Sequence, residues 1–222
     1  MTGACLFDLD GVLVDTATYH YLAWKRLAEE LGFAFSERDN ERLKGVSRMA
    51  SLDLLLAAGG IEGLSDGDKQ RLAEKKNSWY VGYIKQMTPA DVLPGVLDFL
   101  SQLRKRRIRT AIGSASKNAP LILERVGIAA LFDAVIDGRH TAKAKPDPDV
   151  FLLAAAAVRV PPPDCVVFED AAAGVEAALQ AGMRCVGVGD AGVLQRATVV
   201  IPGFAQVKWD VLERQLAGRE GK

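Results

Sequence analysis

The stretch ACLFDLDG at residues 4–11 opens as a run of small and apolar side chains and breaks off into two aspartates and a glycine. A strand covered on both faces reads as such a run rather than as an alternation, because neither face meets water. Positions 4–9 are therefore read as a buried parallel strand whose end carries acid. Comparable runs recur at 108–113, 134–136, 165–168, 184–188 and 199–201, with helical patterns between them at 96–106, 119–126, 149–158 and 174–181. Strand and helix in alternation, joined by short loops, predict an α/β fold: a Rossmann-like, doubly wound parallel sheet with helices on both faces.

The alternation fails between 17 and 87, where only amphipathic segments appear, near 18–31, 37–44, 48–58 and 66–85. A crossover between parallel strands needs about a dozen residues, so this stretch is an insertion and is read as a helical cap. The expected division is a core domain of 1–15 and 88–222 and a cap domain of 16–87. Residues 15–16 and the proline-bearing segment 88–94 would be the two hinges.

Composition narrows the function classes. The 222 residues carry 28 Lys plus Arg against 28 Asp plus Glu, so no net field favours nucleic acid or an anionic membrane. The three cysteines, Cys5, Cys165 and Cys185, lie singly in apolar runs, without CxxC spacing. They are read as small core hydrophobes rather than as zinc ligands or disulfide partners, which suits a reducing cytoplasm. The N-terminal stretch has no basic start and its apolar run is broken by Asp8, unlike a signal peptide. The most apolar stretch, 150–158, is far shorter than the roughly 20 residues of a membrane span. A soluble cytoplasmic monomer is expected.

Sheets of this kind bind ligands beyond the carboxyl ends of their strands. Asp8 and Asp10 end the first strand, Ser114 and Ser116 follow the second, Lys145 follows the third, and Glu169 and Asp170 end the fourth. Acid, hydroxyl, amine and acid thus meet on one rim. Phosphoryl transfer to a side chain requires such a set: an attacking carboxylate, a second group for the alcohol proton, and positive charge for the phosphate. A divalent cation relieves the repulsion between the carboxylates and the phosphate, and magnesium prefers their hard oxygens.

With those residues in that order, FDLDGVLVDT at 7–16 resembles the first motif of the haloacid dehalogenase (HAD) superfamily. Ser114, the pair Lys145-Pro146, and Glu169-Asp170 followed by Ala173-Gly174 resemble its other three. Two aspartates in the first motif imply phosphatase or phosphomutase chemistry, since dehalogenation has no alkoxide to protonate. The segments TATYHYLAWK (16–25), LKGVSRMAS (43–51), EKKNSWY (74–80) and SASKN (114–118) are similar to those of the β-phosphoglucomutase group.

This resemblance implies roles position by position. Asp8 would be the nucleophile and Asp10 the acid and base, with Ser114, Ala115 and Lys145 binding the transferring phosphoryl group. Asp8, the Asp10 carbonyl, Glu169 and Asp170 would hold one Mg²⁺ per chain. Arg48, Ser116, Lys117 and Asn118 would grip the phosphate that stays behind. Thr16, His20, Trp24, Gly45, Val46, Ser51 and Lys76 would complete the substrate site, with His20 bonding near Asp10 to orient it. The implied reaction interconverts β-D-glucose 1-phosphate and glucose 6-phosphate, with β-glucose 1,6-bisphosphate as intermediate and activator. A sugar-phosphate phosphatase shares every core residue and stays open as an alternative, as does a non-catalytic sugar-phosphate binder. Ala171 stands where relatives often carry serine, so one supporting hydrogen bond is expected to be missing.

Overall fold

The structure, a computed structural model, describes residues 2–43 and 46–218. Among these, six strands form one wholly parallel sheet: β1 (Ala4–Phe7), β2 (Arg109–Gly113), β3 (Ala134–Ile136), β4 (Cys165–Glu169), β5 (Arg184–Val188) and β6 (Val199–Ile201), in the order β3-β2-β1-β4-β5-β6. The order reverses on either side of β1, which puts the ligand-binding crevice of such sheets beside it. Phe7 is level with both Ile112 and Phe168 in the register, so β1, β2 and β4 deliver their following residues to one rim.

Alternation along the strands sorts the core into two layers. Cys5 and Phe7 face one cluster and Ala4 and Leu6 the other. On the first side Phe7 stacks on Phe168 at 4.7 Å between ring centroids, and Phe99 meets Phe7 edge-on at 6.4 Å. Helix α5 (Val96–Lys105) buries Val96, Phe99, Leu100 and Leu103 there, an i, i+3, i+4, i+7 stripe. Helices α7 (Asp149–Val158) and α8 (Ala172–Gln180) cover the other face, where Ala154, Ala155, Ala177 and Ala178 allow close approach.

Between β1 and β2 the chain forms α1 (Ala17–Glu30), α2 (Glu37–Glu41), α3 (Arg48–Ala58) and α4 (Asp66–Ile84), with a buried cluster of their own built on Trp24, Leu27, Leu52, Leu55 and Leu56. Serines cap three of these helices: Ser36, Ser47 and Ser65 each accept a backbone N–H three residues on. Ala23, Tyr80, Ile84 and Met87 instead join the sheet-side cluster, so the helical segment and the sheet are welded at that end. The two connecting passages run side by side, Val14 bridging to Val92 and Leu93 N–H donating to Leu13 C=O at 2.9 Å.

Helix α6 (Ala119–Arg125) follows β2. Helix α9 (Trp209–Ala217), in a region where the sequence reading assigned no element, buries Trp209, Leu212 and Leu216 against α5. No helix among the described residues is long and apolar enough to cross a membrane.

Candidate active site

The connection after β1 makes one tight turn, with Leu13 N–H bonded to Leu9 C=O and Gly11 N–H to Val14 C=O. This turn presents Asp8 and Asp10 to a cleft of about 290 Å³ between the sheet rim and α1–α4. Gly11 is held at φ +83°, and a Cβ there would lie 2.1 Å from Asp170 Oδ2. Glycine therefore lets the Asp170 carboxylate rest against the loop that carries Asp8 and Asp10.

Lys145 lies beneath Asp8, almost wholly buried. Its Nζ donates to Asp8 Oδ1 at 2.5 Å and to Glu169 Oε1, and sits 4.8 Å from the centre of the Phe151 ring. Burial works against its charge, but the two carboxylates more than offset that and raise its pKa. Glu169 is fully buried, and its Oε2 accepts the Ala171 N–H at 3.0 Å. Period-2 alternation explains this: Phe168 points into the aromatic layer, so Glu169 turns to the opposite side, beneath the rim. Glu169 is not on the cleft wall beside Asp170 in this structure, and its carboxylate accepts from the lysine. Ala171 brings no side-chain donor, and the bond it makes to Glu169 is from its backbone.

Asp10 is held by Thr16, whose hydroxyl donates to Asp10 Oδ1. Thr16 stands at the N-cap of α1 but makes no side-chain cap bond, its oxygen being committed to Asp10. Burial first, then the neighbouring charge of Asp8, lift the Asp10 carboxyl to about 6; the Thr16 hydroxyl, Lys145 and Lys76 pull the other way.

His20 bonds Lys76 in this structure; its expected role near Asp10 is one for the closed cap. The Lys76 ammonium lies 2.9 Å from His20 Nδ1, so Nδ1 accepts and the ring proton belongs on Nε2. Burial, with Lys76 and Arg48 nearby, keeps the imidazole neutral by lowering its pKa well below the usual value. Lys76 is buried in an aromatic cage, 4.2 Å from the Trp24 ring centre and 4.9 Å from that of Tyr80. Burial and Arg48 depress its pKa in turn.

The far end of the cleft is basic. Ser47 caps α3, and Ser47, Arg48 and Ser51 line the wall. The partial positive charge at the start of that helix therefore adds to the guanidinium. Arg48 makes no ion pair among the described residues. Ala115, Ser116, Lys117 and Asn118 line the same cleft. Ser114 is fully buried behind them, its Oγ accepting the Ser116 N–H at 3.0 Å, while Ser116 Oγ accepts the Asn118 N–H at 3.2 Å. Gly138 admits this loop closely, since a Cβ there would lie 2.3 Å from Ala115 C=O.

Of the positions expected from sequence, Asp8, Asp10, Thr16, His20, Trp24, Val46, Arg48, Ser51, Lys76, Ala115, Ser116, Lys117, Asn118 and Asp170 meet around this cleft. Ser114, Lys145 and Glu169 form the layer behind it, and Gly45 lies outside the described residues. The sequence reading missed Asn40, Asn77 and the segment 141–144, all on the wall. Asn77 and 141–144 adjoin the assigned lysines 76 and 145, which was the available signal.

The oxygens around Asp8 and Asp170 suit a hard divalent cation. No group of three or more His, Cys, Asp or Glu side chains among the described residues forms a ready-made metal cage. Two carboxylates at a cleft, leaving positions for water and substrate phosphate, is the arrangement magnesium favours.

A Rossmann-like sheet with an acidic pair after its first strand and a buried lysine beneath it defines a class of aspartate-based phosphoryl-transfer proteins. The family model for haloacid dehalogenase-like hydrolases matches residues 2–182, and the chain belongs to that family. It is 44% identical to the β-phosphoglucomutase of Bacillus subtilis, over 96% of this chain and 94% of that one. A crystal structure of β-phosphoglucomutase from Clostridium difficile superimposes with a TM-score of 0.95 at 39% identity, covering 100% of both chains. A phosphorylated carbohydrates phosphatase of Thermotoga maritima is 33% identical over 82% of each chain.

Proposed function

We propose that this protein is a β-phosphoglucomutase, interconverting β-D-glucose 1-phosphate and glucose 6-phosphate through β-glucose 1,6-bisphosphate. The observation that carries the reading is the lining of the cleft. One cleft is lined both by the carboxylates Asp8, Asp10 and Asp170 and by a second, anion-binding set, Arg48 at the start of α3 with Ser116, Lys117 and Asn118. A phosphatase needs only the first set. A mutase must hold both phosphates of its intermediate, and the second set is built for an anion. The similarity to β-phosphoglucomutases over nearly the whole chain supports the same reading.

In the first half-reaction an Asp8 oxygen bonds to phosphorus as the bond from phosphorus to the sugar oxygen breaks. Asp10 gives its proton to that departing oxygen. The sugar bisphosphate forms in the reverse sense: Asp10 takes the proton of the attacking hydroxyl, and the Asp8–phosphorus bond breaks. A carboxyl lifted to about 6 is suited to both duties. Lys145, locked between Asp8 and Glu169, fixes the nucleophile and offsets phosphoryl charge. One Mg²⁺, held by Asp8, Asp170 and the Asp10 carbonyl, would neutralise charge on the phosphoryl oxygens. Residues 16–87 act as a cap moving on hinges at 15–16 and 88–94, and the chain works as a monomer on small sugar phosphates. Closure keeps water from the aspartyl phosphate.

The test is a product assay with β-glucose 1-phosphate, a catalytic amount of glucose 1,6-bisphosphate and Mg²⁺. A mutase yields glucose 6-phosphate; predominant release of inorganic phosphate would establish the phosphatase alternative, and no product at all a binder.

A further inference from the structure

We infer that Asn77 is a positioning residue that clasps the helical cap to the sheet rim through Asn118, and that this clasp limits loss of the aspartyl phosphate to water. The inference rests on the mutase reading above. Asn118 Nδ2 donates to Asn77 Oδ1 at 2.9 Å, a side-chain hydrogen bond from the N-cap residue of α6 to α4. Both residues line that cleft.

The local geometry makes this a specified contact. Successive helical residues point about 100° apart, so Lys76 turns into the cage of α1 while Asn77 turns toward the sheet. Asn118 sits on a fixed platform: its N–H is bound by Ser116 Oγ at 3.2 Å, and its C=O accepts the Ile122 N–H at 3.1 Å. At the hinge end, Tyr80 and Ile84 of the same helix are packed into the sheet-side core. Helix α4 is thus held by apolar packing at one end and by a pair of amides at the cleft. A neutral hydrogen bond is weak enough to break at every turnover and strong enough to bias closure roughly threefold to tenfold.

The choice of partner gives the clasp a further property. A carboxamide nitrogen has two hydrogens, and the contact to Asn77 uses one of the two on Asn118. The second is left for the distal phosphate that Asn118 is expected to grip. A phosphate there fixes the Asn118 amide in the orientation Asn77 needs, so closure is favoured when that end of the substrate is seated. Water is then excluded when an acceptor hydroxyl is present and readmitted once the sugar leaves.

The experiment compares wild type, Asn77→Ala, Asn118→Ala and the double variant, reading phosphate released per glucose 6-phosphate formed, together with thermal midpoints. Asn77→Ala should raise that ratio about threefold to tenfold. In the Asn118→Ala background it should change the ratio less than about twofold, as for two residues acting through one bond. A general loss of folded enzyme would lower both products alike and leave the ratio unchanged. An unchanged ratio in Asn77→Ala, or full additivity in the double variant, overturns the clasp. Should wild type form no glucose 6-phosphate, the mutase reading falls on its own. Backbone hydrogen exchange over residues 115–119 in the absence of substrate then decides the clasp: faster exchange in Asn77→Ala supports it, and identical exchange refutes it.

Discussion

Arg48 reaches the cleft from the first turn of α3 with no ion pair among the described residues, and Lys145 lies sealed between two carboxylates. These two cations illustrate opposite uses of charge. A half-buried cation waiting for an anion contributes little until the anion arrives, whereas a fully buried one is committed to its partners. Arg48→Ala should therefore cost mutase kcat/KM about 30-fold or more, the worth of a charge-assisted bond to phosphate. Hydrolysis of a small phosphate monoester, which has no second phosphate, should change by less than about threefold under the same reasoning. Equal losses in both assays would mean that the basic end does not bind the second phosphate. Lys145→Ala strands Asp8 and Glu169 together in the dark of the protein. It should lower unfolding free energy by about 3–5 kcal/mol in urea titration, besides abolishing turnover; an unaltered urea midpoint would contradict the geometry.

At the scale of elements, the loop carrying Asp8 and Asp10 and the start of α8 show how close approach is enforced by missing side chains. A Cβ on Gly174 would fall 1.8 Å from Glu169 Oε1. Glycine-to-alanine inside a helix ordinarily gains about 1 kcal/mol. Here the added methyl must displace a fully buried carboxylate tied to Lys145, and overpacking costs typically about 1–3 kcal/mol. Gly174→Ala should thus lower the thermal midpoint and reduce kcat together, through a shifted Glu169–Lys145–Asp8 chain. A raised midpoint would show that this approach is not tight. The strands were legible because a doubly covered parallel strand is an unmixed apolar run, and the helices of 17–87 because amphipathic spacing marks them. What stayed hidden depended on direction rather than spacing. Glu169 and Asp170 are neighbours in sequence, yet strand alternation sends the first beneath the sheet rim and leaves the second at the cleft. The distinction needed the exact end of β4. The resemblance assigns both Thr16 and His20 to the substrate site, with His20 near Asp10; in the structure the Thr16 hydroxyl bonds Asp10 and the imidazole bonds Lys76. Helix α9 had a readable stripe at Trp209, Leu212 and Leu216, but its short length and the turn-rich approach through 202–208 obscured it.

At the scale of the whole molecule, the cleft's two ends impose a motion. A bisphosphate that gave up one phosphoryl position must next present the other to Asp8, so it has to turn end for end. With Arg48, the start of α3 and the 115–118 loop all lining it, a cleft of about 290 Å³ leaves a ligand bearing two charged groups no room to rotate while its phosphates stay bound. Turning requires the proposed cap to lift. The adjacent passages at Val14 and Val92 would give such a motion a single axis, with Tyr80 and Ile84 packed in the sheet-side core at that end. Steady-state turnover should then be governed by opening and closing, which drag solvent, rather than by bond exchange at Asp8. We expect kcat for the mutase reaction to fall in proportion to relative viscosity in sucrose or glycerol. A single phosphoryl transfer from phosphorylated enzyme to pre-bound sugar phosphate, followed by rapid quench, should show almost no such dependence. A polymer that raises bulk viscosity without slowing small-scale motion should leave both rates alone. If the single transfer slowed as much as steady-state turnover, lifting of the cap would have to belong to the chemical step itself, and the separation between a closed cleft for chemistry and an open one for exchange would not hold.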